Sequence, residues 1–172
     1  MAGKGSGAPD PNAVADIRKM IATPKTWVAS GEMTWVDAGG RPPGVTFRER
    51  LALPNGLQPQ GLFVECYFKA TGITGSADKV SLALCFNHRR VFAVDENGPG
   101  GHFNSAGLGR PYFERRVGFP HVHTVSDDSI EGYAEPLEPT SLEHHWAYFV
   151  SGAGIVGAPQ FQLPALQLGL LP

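Results

Sequence analysis

Val45-Thr46-Phe47-Arg48-Glu49-Arg50-Leu51-Ala52-Leu53 alternates apolar and polar side chains along its length. An extended chain sends successive side chains to opposite faces. Val45, Phe47, Leu51 and Leu53 therefore share one face and Thr46, Arg48 and Arg50 the other, with Glu49 the one acid on the apolar side. This is the pattern of a strand with one face on a core and one face open. Two further runs, Leu62 to Ala70 and Val80 to Phe86, read as well-buried strands joined by the turn-rich segment Thr71 to Asp78. Arg90 to Asp95 returns after the tight Asn87-His88-Arg89 connection, which makes an antiparallel meander.

Outward from this centre the period-two pattern persists. Trp27-Val28-Ala29 and Met33-Thr34-Trp35-Val36 are placed to pair across Ser30-Gly31, and the Gly39 to Gly44 linker ends that pairing. His121-Val122-His123 is read as a strand, Ser126-Asp127-Asp128 as an acidic turn and Ile130 to Ala134 as another strand. Leu142 to Val150 is an apolar stretch read as extended, which sends His144 and His145 to opposite faces. Gln160 to Leu163 adds an edge strand or packs as extended chain. Only the N-terminal region changes period: Asp10-Pro11 is an N-cap followed by proline at the first helical position. Val14, Ile17, Met20 and Ile21 then recur at helical spacing until Thr23-Pro24 stops the helix. Residues 1–9 are small and polar and read as disordered. The expected fold is mainly β (α+β): a single antiparallel sheet or sandwich domain over residues 10–172 with one short N-terminal helix.

A chain of 172 residues with 42% hydrophobic content is long enough to bury one core and too short for two ordinary domains. Its formal charge of −2 excludes a general nucleic-acid coater, so such binding would require a local patch. Cys66 and Cys85 sit inside apolar runs and read as buried reduced thiols, with a cross-strand disulfide the alternative. No basic-then-apolar leader opens the chain, and no apolar run approaches the ~18 residues of a membrane span. The expectation is a cytoplasmic protein with no membrane partner.

The chemistry gathers between Arg90 and Pro136. All six histidines fall between positions 88 and 145, a concentration of the side chain that titrates near neutrality and ligates metals. His121 and His123, two apart on an extended segment, share a face; they form either a functional pair or paired polar residues on a strand's open face. Arg90 and Asp95 read equally as a strand-end ion pair or as members of that site. His102 lies in a Gly-rich loop whose backbone can approach a ligand closely. The candidate catalytic set is His121, His123, Arg90, Asp95 and His102. Arg110, Arg115, Arg116, Tyr112 and Asn104 are the candidate substrate-binding residues, because five arginines stand against three acids between His88 and His123. In that patch arginines would take phosphates and aromatics would stack bases of single-stranded RNA. Two mechanisms remain open. Two imidazoles and an arginine can cleave a phosphodiester without a cofactor. Alternatively a divalent transition metal is held by His121, His123 and a third ligand from Asp95, His102, Asp127 or Asp128.

The order Arg90…Asp95-Glu96-Asn97-Gly98-Pro99…His102-Phe103-Asn104, then Pro120-His121-Val122-His123, then Gly132-Tyr133-Ala134-Glu135-Pro136-Leu137, resembles small bacterial proteins of prophage and toxin–antitoxin loci. It is similar in particular to the TumE-type toxin family. That resemblance implies a growth-inhibiting or defence-linked hydrolase acting on RNA and controlled by a protein inhibitor. A second resemblance, through Gly118…His121-Val122-His123-x3-Asp127 with His144 further on, is to the metal site of cupins. It implies His121, His123 and Asp127 as metal ligands and a small-molecule substrate. A β module that only binds a partner is the third expectation.

Overall fold

A computed structural model describes residues 10–29, 31–39, 44–71, 77–98 and 100–165. In chain order the elements are α1 (Pro11–Ala22), β1 (Lys25–Trp27), β2 (Val36–Gly39), β3 (Gly44–Ala52), β4 (Leu62–Lys69), β5 (Lys79–Phe86), β6 (Arg89–Asp95), β7 (His102–Phe103), β8 (Arg116–Val117), β9 (His121–Thr124), β10 (Tyr133–Pro136), α2 (Leu142–Gly152) and β11 (Ile155–Val156). The main sheet runs β10-β9-β6-β5-β4-β3-β1-β11, with β2 also on β3, and β7 and β8 form a separate pair. Every pairing is antiparallel except β1 with β11. The protein is thus mainly β, as the alternating runs predict.

Alternation sorts the sheet into two unlike faces. Along β4, Leu62, Val64, Cys66 and Phe68 are buried while Phe63, Glu65, Tyr67 and Lys69 are half-buried. The buried set joins Phe47, Leu51, Leu82, Leu84, Phe92, Val94 and Val122 in one core. That core is closed by Val14 and Ile17 of α1 and by Trp146 and Phe149 of α2, so both helices cover the same face. Phe149 stacks on Phe92 at 6.0 Å between ring centroids, and Gly152 lies against the Phe92 ring, where a Cβ would come within 2.5 Å. The opposite face carries a small apolar cluster of Ala83, Cys85, Ala93 and Phe63 and is otherwise polar. Cys66 and Cys85 are free thiols. They cannot meet across β4 and β5, because Cys66 opposes Leu82 and Cys85 opposes Phe63, which puts the two side chains on opposite faces.

α1 forms as its caps predict. Asp10 accepts from the Asn12 amide at 3.0 Å, and at the other end Lys25 donates to the carbonyls of Met20, Ile21 and Thr23 at 2.7, 3.0 and 2.5 Å. These include acceptors that a helix C-terminus leaves unpaired. Lys25 is 1% exposed, and burial lowers its pKa to about 8.

Three local expectations are corrected. Leu142–Gly152 is a helix, capped by the Ser141 side chain on the His144 amide. Leu142, His145, Trp146 and Phe149 follow helical spacing, and the apolar density hid that period. Trp27 and Val36 belong to strands that pair with β3 and not with one another; Ser30, of the expected turn, lies outside the described residues, as do residues 1–9, 40–43 and 72–76. The strand expected at Ile130 to Ala134 begins at Tyr133. Gln160 to Leu163 packs as extended chain, Gln162 accepting from the Met33 amide and, through its own carbonyl, from the Trp35 indole at 3.0 Å. Among the described residues, no helix is long and apolar enough to cross a membrane.

Candidate metal centre

β9 pairs with β6 so that His121 opposes Asp95 and His123 opposes Ala93. With one face of the sheet under helices, the two histidines and Asp95 all stand on the other. Arg90 joins them through an irregularity. In a regular strand residues five apart point to opposite faces, yet β5 and β6 shift register at Leu84/Cys85, with Leu84 opposite Phe92 and Cys85 opposite Arg90. The extra residue, Val91, is a β-bulge, and it turns Arg90 onto the same face as Asp95.

The three donors converge. His121 Nε2 lies 3.1 Å from His123 Nε2, His123 Nε2 lies 3.0 Å from Asp95 Oδ2, and His121 Nε2 lies 3.7 Å from the same oxygen. All three ligand atoms fall within 4.8 Å of one another. The outer atoms of two of them are tied down. His121 Nδ1–H donates to the Gly118 carbonyl at 2.7 Å, which fixes the tautomer that leaves Nε2 a bare lone pair facing the cluster. Asp95 Oδ1 accepts from the Ser81 hydroxyl at 2.5 Å and from Arg90 at 2.9 Å, leaving Oδ2 for the histidines. His123 Nε2–H is then the donor to Asp95. The His121 side chain is 1% exposed, with the His123 and Asp95 side chains at 18% and 14%. His121 is thus buried, where the sequence places it on an open face, because Phe119 covers its ring at 4.6 Å between centroids.

The electrostatics favour a carboxylate beside neutral imidazole. Burial pushes the Asp95 carboxyl up, but the neighbouring His121 and His123 rings, the second of them hydrogen-bonded to it, together with the Arg90 charge and the Ser81 hydroxyl outweigh this and hold the group well below the usual carboxylate range. Burial lowers the pKa of His123, which Asp95 opposes and Arg90 reinforces. A deprotonated acid and a neutral His123 suit a metal ion, which would displace the proton that His123 Nε2 donates to Asp95.

A cavity of about 410 Å³ opens beside these groups, lined by Arg90, His102, Phe119, Thr124 and Glu131 among others. His102 stands edge-on to His123 at 4.6 Å between centroids, and its Nε2 bonds the Gly132 carbonyl at 3.1 Å. The structure thus brings Arg90, Asp95, His102, His121 and His123 together. Asp127 does not join them: it is exposed and pairs with Arg18 at 2.6 Å, so the carboxylate of the cluster is Asp95. Asp128 instead accepts from the amides of Gly107 and Leu108 and anchors the Gly-rich loop.

The expected substrate-binding residues mostly serve the frame. Asn104 is 0% exposed; its amide group donates to the Ala134 carbonyl at 2.8 Å and accepts from the Ala134 amide at 2.7 Å. It therefore takes the place of a further strand along the outer edge of β10, and it donates as well to the Tyr112 carbonyl at 2.9 Å. Arg110 lies 4.3 Å from the Tyr133 ring centroid and pairs with Glu135 at 2.8 Å. Arg116 donates to the Gly100 carbonyl at 2.6 Å. Arg115 is exposed and Tyr112 half-buried, and neither lines the cavity. Sequence reasoning missed Ser81, whose signal was a lone hydroxyl on the outward side of an apolar strand, and the Gly118 carbonyl, which left none. Compared with family models, curated proteins and solved structures, the chain has no match.

Proposed function

We propose that Asp95, His121 and His123 bind one divalent transition metal and that the protein is a metal-dependent enzyme acting on an organic substrate held in the adjoining cavity. The observation that carries this is the convergence of three donor atoms, two of which already have outer partners that orient them: the Gly118 carbonyl for His121, and Ser81 and Arg90 for Asp95. Outer hydrogen bonds of this kind set the tautomer and direction of metal ligands and are as much part of such sites as the ligands themselves. Two imidazoles and one carboxylate suit zinc or iron, and three protein ligands leave coordination positions for water and substrate, as catalytic centres require. When bound, the ion would polarise a substrate oxygen or activate water. Arg90 and His102 stand at the cavity wall, where Arg90 would orient the substrate and His102 would exchange a proton with it.

The alternative chemistry, cofactor-free cleavage of RNA by two histidines, has less support. A general base and a general acid act on opposite sides of the scissile bond, whereas these two Nε2 atoms are 3.1 Å apart. Two of the three arginines expected to take phosphates, Arg110 and Arg116, are engaged at Glu135 and Gly100.

Elemental analysis of the full chain, exchanged anaerobically with zinc, iron, manganese, cobalt and nickel in turn, tests the proposal. One equivalent of metal is expected, falling to less than about a tenth of that in Asp95→Asn and His123→Ala variants that retain the wild-type circular dichroism spectrum. Protein that takes up no metal, or variants that load as fully as the parent, would refute it.

A further inference from the structure

The metal centre lies at one end of a longer feature. Reading across the strands in register, His121 opposes Asp95, Asp95 opposes Ser81, Ser81 opposes Tyr67, Tyr67 opposes Thr46 and Thr46 opposes Val36. Residues opposed in this way point to the same side, so one row crosses six strands on the face away from the helices. Five interstrand spacings make it roughly 24 Å long. Beside it the next row places Ala93 and Ala83 between His123 and Glu65, and two methyl-sized side chains between larger ones form a trough. Three cavities follow this course and share their walls. The one beside the metal centre has Arg90 and Asp95 in common with a cavity of about 230 Å³, which in turn shares Glu65 and Tyr67 with one of about 470 Å³. Gly101, His102 and Phe119 wall the end at the metal centre.

We propose that this trough binds a linear, uncharged oligosaccharide laid across the strands, with one end at the metal centre. The binding role stands independently of the metal-site reading; the assignment of the saccharide as substrate rests on it. The chemistry of the trough selects the class. Its two arginines are matched by carboxylates, Arg48 with Glu65 and Arg90 with Asp95 at 2.9 Å, while Lys79 lies 5.9 Å from the centroid of the Tyr67 ring. A polyanion such as RNA needs cations free to replace its counterions, and here both arginines would first have to leave their carboxylates. An extended peptide gains its affinity from backbone bonds at a sheet edge, whereas this surface is the middle of a sheet. A sugar hydroxyl both donates and accepts, so adjacent guanidinium and carboxylate groups serve one hydroxyl or neighbouring ones without breaking their own pair. Arg48–Glu65, Ser81–Asp95–Arg90 and Thr46 supply such sites in sequence. Tyr67, at mid-trough, offers the apolar face of a ring with a polar tip. Its phenol has room because position 44 is glycine, where a Cβ would come within 2.4 Å of the hydroxyl oxygen.

The test is a titration of the isotope-labelled full chain, followed through backbone amide resonances, with cellopentaose, maltopentaose, xylopentaose, mannopentaose and chitopentaose, and with a uridine oligonucleotide as the charged comparison. At least one pentasaccharide is expected to shift the amides of Glu65, Tyr67, Ser81 and Asp95 together. It should bind at least tenfold more tightly than its disaccharide, and the affinity should be insensitive to salt. Tyr67→Ala should weaken binding tenfold or more and Tyr67→Phe less than threefold. If Tyr67→Ala does not fold, Arg48→Ala and Lys79→Ala, both at exposed positions, carry the comparison with an expected loss of threefold to tenfold each. No shift with any pentasaccharide at millimolar concentration overturns the proposal, as does binding confined to the oligonucleotide or binding unaffected by all of these substitutions. Metal content measured on the same samples reads the other site separately: saccharide binding without metal uptake sinks only the metal reading, and metal uptake without saccharide binding sinks only this one.

Discussion

Asn104→Ala puts the reading of the site's frame at risk. Asn104 is fully buried, and its side-chain amide makes three hydrogen bonds, to the Tyr112 carbonyl and to both the carbonyl and the amide of Ala134. Truncation leaves those three backbone groups without their partner. An unsatisfied buried polar group costs about 1–3 kcal/mol. The three losses are coupled through one residue and water can enter the space left, so the simple sum is an upper bound; the expected loss is about 3–5 kcal/mol. Because Ala134 opposes His123 across β10 and β9, the damage should reach the Asp95–His121–His123 cluster as well, and the affinity for zinc expected under the proposed metal binding should fall alongside stability. Urea denaturation followed by tryptophan fluorescence gives the stability and a competition assay the affinity. Asn104→Asp should be nearly as damaging, since a carboxylate can accept from the Ala134 amide but cannot donate to the two carbonyls. A variant that keeps stability within about 0.5 kcal/mol of the parent, the range of a surface substitution, while losing only substrate binding, would show that Asn104 contacts ligand and that the account of the β10 edge is wrong.

Lys25 gives a pH dependence of definite sign. Its folded pKa is about 8 against an ordinary value of 10.5, so between those values the unfolded chain holds a proton that the folded chain does not, and stability rises with pH across that window by up to about 3 kcal/mol; the difference in stability between the parent and Lys25→Met, measured from pH 7.5 to 10.5, should show that slope. His145 is 3% exposed and its ring bonds Glu96 and the Glu138 carbonyl, whereas His144 is exposed. His145→Ala should therefore cost about 2–4 kcal/mol and His144→Ala less than about 0.5 in chemical denaturation. The Asp128 carboxyl is held below its ordinary value, burial being outweighed by hydrogen bonds from Ser126 and from the Leu108 and Gly107 amides. Its contribution is therefore present above the unfolded carboxyl pKa and fades as pH falls through the folded one. The protection of the Gly107 and Leu108 amides against exchange, relative to the unstructured chain at the same pH, should fall only as pH drops below the ordinary carboxyl value of about 4 in the parent, and should be low at all pH values in Asp128→Asn.

The alternation of Val45 to Leu53 and Leu62 to Ala70 was enough to specify strands, their inward residues and a mainly β fold, because a two-residue period is a property of the extended backbone itself. Asp10-Pro11 and the stripe from Val14 to Ile21 specified α1 on equally local grounds. The shared face of His121 and His123 followed from the same period. The second helix was also written locally, in Ser141 and the spacing of Leu142, His145, Trp146 and Phe149, but a stretch buried on most sides loses the polar contrast that makes a period readable. What only the tertiary structure decided was which distant groups complete the site. Asp95 joins the histidines, and Asp127 does not, because β9 leaves the order of the chain to pair with β6. Arg90 reaches the same face only through the bulge at Val91. Asn104 is a structural partner because the edge of β10 has backbone groups to satisfy. Register between strands distant in sequence is set by how their side chains fill one core, and no single segment carries that information.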